Sequence, residues 1–505
     1  MQIELDNERV NRLFGANRSD FGDFLREGMR FYKEHPEIKK LIETLQESNA
    51  LQKKSLRIWD GQSEKQDCFN WDEVQMPVCK TLLQGRPRMP GHNVFLFYLV
   101  NTWQDGICNK DAKTLISESG TLRTLLHPST QKIPGYTTIL EHINLIDEKT
   151  ASTIVQKQLK WLQRQDRSVE QWERVVVDST AVKANATHPV DSAQLVENLH
   201  GLLREHERMR ELLALEQELS CKINRWLKKI EAEHRGMSLW GNKSGKKKRI
   251  RKGYRNSLDA ALKLLQCLQK YQDNHLELEL KRTFQLTHAQ RRALEKIRDR
   301  YNLYFDALKC VIKQACERVL KGKSLKSVEK WLSSKDRDAA LIVKGHRDSN
   351  WGYKLQFAFN AAGYCTATVV NKGNEADSPS LKAVIVQSKK NTGVKVKQLS
   401  VDDGYAGKQS EREIRKLGVV DFSVSGSKGK PQHGEELWHD PVIQELRKWR
   451  SAGESRIFMI KHNQHLRRVR RSGRDAVCAE VLGKMIAYNL GNWLRGKKES
   501  LAKAA

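Results

Sequence analysis

Apolar positions along this chain follow distinct rhythms, and each rhythm predicts a different kind of element. Residues 24–48 carry apolar side chains at mixed three- and four-residue spacing, as helices with one buried face do. A polar stretch at 60–72 reads as a loop, and PRMP at 87–90 introduces an almost wholly apolar segment, 94–103, which predicts a buried helix. Residues 109–126 and 135–146 read as two more helical stretches around a loop holding Pro128 and Pro134. With Thr137 and Thr138 near the start of the second, this pair is open to two readings, a helix-turn-helix or an ordinary helical bundle. Residues 151–165 form one further amphipathic helix.

The rhythm changes at residue 174. RVVVDST at 174–180 puts three β-branched residues in a row, which predicts a strand buried on both faces, with Asp178 at its carboxyl end. From about 194 to 332 strand signals vanish, and 195–233, 257–279 and 288–320 show leucine-rich helical periodicity flanked by charge. Between the first two lies GNKSGKKKRIRKGYR at 241–255, whose glycines and cations read as a loop. The region is therefore expected to be a helical hairpin with a basic tip. Strand signals return after Asp338. Residues 353–359 and 364–370 alternate around a turn at 361–363, which predicts a hairpin. Then come a helix at 378–389, a strand at 395–401 running into Asp402, Asp403, Gly404 and Tyr405, a helix at 408–417 and a strand at 419–424. A loop at 426–434 leads to a long helix at 442–466 and a basic stretch at 467–474.

Without the helical stretch, the order of strands and helices is that of an RNase H-like domain. The expected fold class is thus α/β: an RNase H-like catalytic domain with a large helical insertion after the first strand, preceded by an all-α N-terminal domain. In residues, 1–165 is the expected helical, DNA-binding N-terminal domain. The catalytic domain takes 166–192 and 338–495, and the insertion with its basic loop takes 193–337.

Charge narrows the partner. The 505 residues carry 90 Lys+Arg against 61 Asp+Glu, a formal net charge of +29, which points to a polyanion and most simply to nucleic acid. A membrane is a poor competitor, because the longest apolar run, 94–100, falls far short of the roughly 20 residues a span requires. The first residues lack the apolar core of a secretory signal, and the nine cysteines form no CxxC pair. Both features set the expectation of a reducing cytoplasm.

Three acids then stand out. Asp178 and Asp402 each follow a predicted strand, and those strands are neighbours in an RNase H-like sheet, so their carboxylates would share one pocket. A hard divalent cation relieves the repulsion between two such groups. Glu454 on the last helix is the candidate third ligand. Arg450, Glu454 and Lys461 lie four and seven residues apart, within roughly 40° on one helical face. Such a pattern is either a surface ion-pair ladder or a metal ligand flanked by phosphate-binding cations. At the basic tip, Lys246, Lys247, Lys248, Arg249, Arg251 and Lys252 are candidate phosphate contacts.

These motifs resemble the DDE transposases of bacterial insertion sequences, in the cut-and-paste group marked by Tyr-x2-Arg-x3-Glu-x6-Lys. Arg450, Glu454 and Lys461 match that spacing, while Arg447 stands where the family has Tyr. DDGY matches the family's Asp-x-Gly-Tyr at Asp402, and VVVDST matches its first-strand aspartate at Asp178. THPVDS and AYNLGNWL also resemble the family, and the likeness covers about 170–192 and 345–495. The resemblance implies a transposase performing DNA phosphodiester hydrolysis and transesterification, cutting insertion-sequence ends and joining them to target DNA. It implies two Mg²⁺ ions, with Mn²⁺ as an alternative, held by Asp178, Asp402 and Glu454. Arg450 and Lys461 would clamp end phosphates. The expected partners are double-stranded DNA, as inverted-repeat ends and target, and a second copy of the chain in a homodimeric complex. The protein would then be cytoplasmic, and nucleoid-associated when on DNA. Two other classes stay open: a DNA-end-binding repressor or decayed transposase, and an RNase H-like nuclease without strand transfer. The three acids separate catalysis from binding alone, which does not need them.

Overall fold

The computed structural model describes residues 18–62, 89–103, 119–130, 133–165, 168–185, 190–215, 221–239, 245–325, 330–331, 333–344 and 348–504. The chain forms two compact units. The first comprises Met1–Ala50, Leu83–Asn185 and Ile342–Ala505, and the second Leu51–Leu82 and Ala186–Leu341.

Among the described residues the sheet is preceded by α1 (Arg18–Glu34), α2 (Pro36–Gln62), α3 (Gly91–Trp103), α4 (Gly120–Leu125), α5 (Tyr136–Asn144) and α6 (Glu148–Gln165), and by one short helical turn, Val169–Glu173. Helix α3 is buried along almost its whole length, as its apolar run demands. Ten residues, 126–135, separate α4 from α5, too many for the three- or four-residue turn of a helix-turn-helix. Of the loop expected at 60–72, only the end of α2 is described, and the stretch 109–118 likewise lies outside the described residues.

Strand β1 (Arg174–Lys183) follows. It is longer than its valines suggest, so Asp178 lies in mid-strand rather than at the strand's end. Among the described residues of Ala186–Leu341, four helices follow: α7 (Asp191–Leu212), α8 (Cys221–Leu239), α9 (Lys246–Gln285) and α10 (His288–Ala315). A single π-helical turn, Cys316–Leu320, extends α10. Their common core is Leu195, Leu199, Leu202, Leu264, Leu268, Leu308 and neighbouring residues.

The basic loop expected at 241–255 is corrected from residue 246 onward, where the chain is already the first turns of α9. Packing explains the difference. Ile250, Tyr254 and Leu258 recur every four residues and dock with Val319, Leu320 and Ala315, so an apolar stripe runs beneath the charges. Gly253, read as a turn signal, instead allows close approach: a Cβ there would lie 2.9 Å from Met237 Cγ on α8.

The remaining elements are β2 (Ala340–Lys344), β3 (Asp348–Asn360), β4 (Cys365–Val370), α11 (Asp377–Thr392), β5 (Gln398–Val401), α12 (Lys408–Lys416) and β6 (Asp421–Val424). After them come α13 (Gly429–His439), α14 (Pro441–Trp449), α15 (Ser451–Asn463) and α16 (Arg474–Ala504). The loop expected at 426–434 is therefore already helical from Gly429, with a kink at Gly434, and the long helix expected at 442–466 is two helices meeting at Arg450.

The sheet runs β2-β3-β1-β5-β6, with β4 also pairing β3. Strands β1, β3 and β4 pair antiparallel, while β5 and β6 run parallel to β1. Such a mixed sheet is compatible with a DDE or RNase H-like domain. Strand β2 has no counterpart in the pattern of alternation. Below the sheet, Val175, Val177, Leu399, Val401 and Phe422 pack on Leu381, Val384, Ile385 and Ile414 of the adjoining helices.

Candidate active site

The first two acids lie just beyond the register of two parallel strands. Strands β1 and β5 pair Val175 with Leu399 and Val176 with Ser400. Carried two residues past the last of these pairs, the same register would set Asp178 opposite Asp402, where β5 has just ended at Val401. A crevice opens wherever one strand stops and its neighbour continues. Asp178 is therefore at the carboxyl end of the parallel pair, although not of its own strand. Its side chain is 7% exposed as a residue, and Oδ1 accepts the Ser179 N–H at 2.7 Å. Asp402 caps the 3₁₀ turn Asp403–Tyr405, with Oδ1 accepting the Gly404 N–H at 2.9 Å. Burial raises the Asp402 pKa above its ordinary value; Asp377 and Asp403 add to this, while the Gly404 N–H and Arg450 oppose it.

A glycine sets how closely α15 approaches the sheet. A Cβ on Gly453 would lie 3.0 Å from Val176 Cγ2 and 3.6 Å from Asp178 Cβ, so α15 rests its backbone directly on β1 at Asp178. Glu454 follows at once. Its side chain is 58% exposed and its carboxylate accepts from Arg450 Nη2. Arg450, through its field on Asp402 and its bond to Glu454, links the two acids. Lys461 turns to β1 instead, where Nζ donates to Thr180 Oγ1 and Ala181 O, both at 3.0 Å. Arg447, at the family's Tyr position, lies over the Trp438 ring at 3.8 Å from its centroid.

Three residues that the sequence did not single out, Asp377, Lys354 and Gln356, complete the surroundings together with Tyr405 of the DDGY motif. Asp377 opens α11, and its Oδ1 receives Lys354 Nζ at 2.9 Å and Gln356 Nε2 at 2.7 Å. Gln356 Oε1 in turn accepts the Tyr405 hydroxyl. The space a Gly404 Cβ would occupy is 3.0 Å from Asp402 Oδ1 and 3.2 Å from Asp377 Oδ2, so the two carboxyls meet in front of that glycine. Burial drives the Tyr405 pKa well above its ordinary value, with Asp377, Asp178 and Asp402 reinforcing it. Asp377 gives little signal in sequence, since an acid in a first helical turn is ordinarily a dipole partner. Asp403 points elsewhere, toward the turn after β6, where Ser427 Oγ donates to its Oδ2 at 3.3 Å.

The six cations at the start of α9 belong to the second compact unit. Lys246, Lys247, Lys248, Arg249 and Lys252 are exposed. Arg251, also exposed, donates Nε to Val319 O at 3.1 Å and so ties α9 to the turn after α10.

Asp178 and Asp402 offer only carboxylate oxygens, the donor type a hard divalent cation takes. Glu454 is held by Arg450, and among the described residues no group of three or more His, Cys, Asp or Glu is gathered closely enough to hold an ion. Residues 337–490 match the family described as Transposase DDE domain, which supports a DDE transposase acting on DNA. The matched span includes Asp402 and Glu454, leaves out Asp178, and begins in the last residues of the helical unit. No curated protein and no solved structure gives a match.

Proposed function

We propose that the protein is a DNA transposase that cuts phosphodiester bonds at insertion-sequence ends and joins the freed 3′ ends to target DNA. The observation that supports this reading is the β1–β5 register, which would set Asp178 opposite Asp402 past the end of β5, together with the close approach of α15 to β1 at Gly453. In this reading Asp178, Asp402 and Glu454 hold two Mg²⁺ ions, for which Mn²⁺ can substitute. When bound, the metal supplies a water acidified for attack and charge to stabilise the departing oxygen.

The chain's own residues do the rest. Arg450 exchanges its bond to Glu454 for a phosphate oxygen of the scissile strand, which frees the Glu454 carboxylate for the pocket. Lys461 stays on the same helix edge and steadies β1 beside Asp178. The Tyr405–Gln356–Asp377 chain fixes the turn that carries Asp402, and Lys354 balances the charge of Asp377. The N-terminal helices recognise the ends, and the exposed cations of α9 hold phosphates without reading sequence. The working form is a homodimer on paired double-stranded ends, in the bacterial cytoplasm and on the nucleoid.

The Arg450–Glu454 pair favours one rival, a protein that binds ends without cutting them, with the pair as a surface ladder. The test is full-length protein incubated with Mg²⁺ and linear DNA bearing the inverted repeats that flank its gene. Nicks at the ends and joined products support the transposase. Binding without cleavage selects the end-binding rival, and cleavage without joining selects a nuclease.

A further inference from the structure

Residues 467–474, RRVRRSGR, hold five arginines and no acid, and the fold uses those arginines in two ways. Two are pegs. Arg471 donates Nη1 to Ile146 O and Nη2 to Ile143 O, both at 3.2 Å, and so satisfies carbonyls at the end of α5. Arg474 donates Nε to Val370 O at 3.1 Å, at the end of β4. The other three, Arg467, Arg468 and Arg470, are exposed, with Arg467 Nη2 resting against the His462 ring, 2.6 Å from Nδ1.

The backbone beneath those three is held on both sides. Lys183 N donates to Arg467 O at 3.0 Å and Val469 N to Lys183 O at 2.8 Å, so the segment adds a parallel bridge to the end of β1. Asn185 Nδ2 donates to Arg470 O at 2.8 Å. The Glu480 carboxylate accepts the N–H of Arg470 at 3.0 Å and that of Arg471 at 2.9 Å. Leu466 and Val469 are fully buried. A merely solvated run of charge needs no such fixing. A backbone locked residue by residue under exposed arginines is preorganised, which lowers the ordering cost of gripping a polyanion.

We infer that 467–470 is a phosphate-binding rail for the DNA strand that passes through the active site, with Arg467, Arg468 and Arg470 as its contacts and the exposed Lys183 beside them. Its place along the DNA follows from β1. Lys183 lies five residues beyond Asp178 on one strand, a span of roughly 16 Å at about 3.3 Å per residue. That is about five base-pair steps of duplex at roughly 3.4 Å each. The inference rests on the DNA-handling reading above, yet it concerns grip and not cutting.

The test is equilibrium binding of the full chain to an end duplex and to an unrelated duplex as salt rises. The triple variant Arg467→Gln/Arg468→Gln/Arg470→Gln is expected to lose about 2–3 units of log–log salt slope on both duplexes, near 0.9 per phosphate contact. Its melting temperature should hold. Phosphate-ethylation interference in the wild type should fall about five positions from the cleaved bond and vanish in the variant. Arg471→Gln should do the reverse, lowering the melting temperature at an unchanged slope. Tight wild-type binding with the slope untouched in the triple variant would overturn the rail alone. Wild-type binding that ignores salt altogether would overturn both the rail and the DNA reading.

Discussion

At the scale of single residues, two glycines govern how near the candidate acids come. Gly453 brings α15 onto Asp178, and Gly404 leaves room for Asp402 and Asp377 to face one another. Asp178→Asn, Asp402→Asn and Glu454→Gln are each expected to abolish Mg²⁺-dependent cleavage with end binding retained. Asp403→Asn should keep most activity, because its carboxyl turns toward Ser427. Full cleavage by any of the first three would remove that residue from the site. Lys461 tests a different division of labour. Its two hydrogen bonds to β1 at Thr180 and Ala181 stabilise the strand that carries Asp178. Charged hydrogen bonds of this kind contribute on the order of 1–2 kcal/mol when half-exposed. Lys461→Ala should therefore lower the melting temperature by several degrees as well as weaken cleavage. An unchanged melt beside lost cleavage would show that the side chain serves DNA alone.

Among elements, what the sequence revealed follows periodicity closely and fails where one signal has two causes. Strands β1, β3, β4 and β5 are legible because alternation or an unbroken β-branched run has no common rival at that length. Asp402 does follow β5 as the pattern predicts, whereas Asp178, expected at the end of its strand, lies within it, because the polar residues after the valines continue the strand. The basic helix start was not. Glycine marks turns and also close helix contacts, and Gly253 serves the second purpose against Met237. Asp377 was missed because its role arises from Lys354 and Gln356, on a strand far from it in sequence. The start of α9 carries a testable tension. Its first turn holds cations and no acid, with Gly245 as a left-handed cap, so the helix dipole opposes those charges. Replacing Lys246, Lys247 and Lys248 with Gln should raise the stability of the helical unit, by up to about 1 kcal/mol. If these cations hold phosphates, the same variant should bind all DNA sequences more weakly and show a shallower salt slope. A gain in stability without any change in slope would leave the charges as a solvated face.

For the whole molecule, the consequential fact is that the N-terminal helices and the sheet share one compact unit. Trp161 on α6 shows how they are joined. It is 2% exposed, its ring meets Trp493 on α16 with centroids 5.0 Å apart, and its Nε1 donates to Glu34 Oε2 on α1 at 2.7 Å. Three residues earlier, Gln158 Nε2 donates to Ile486 O of α16 at 2.9 Å. Helix α16 also meets the sheet, since Asn489 Oδ1 accepts the Cys365 N–H at 2.7 Å on β4. One helix thus fastens the N-terminal helices and the strands together. Truncating a tryptophan in such a position costs about 3–5 kcal/mol through lost transfer energy and the cavity left behind. Trp161→Ala is therefore expected to destabilise the sheet as well as the helices around it. Hydrogen exchange would show it: amides of β1, β3 and β4 should lose protection together with those of α1 and α6. Trp161→Phe keeps most of the volume and loses the bond to Glu34, so it should fall between the two. Faster exchange confined to α1–α6, with the strands still protected, would mean that the N-terminal helices fold as a separate domain that the sheet does not require.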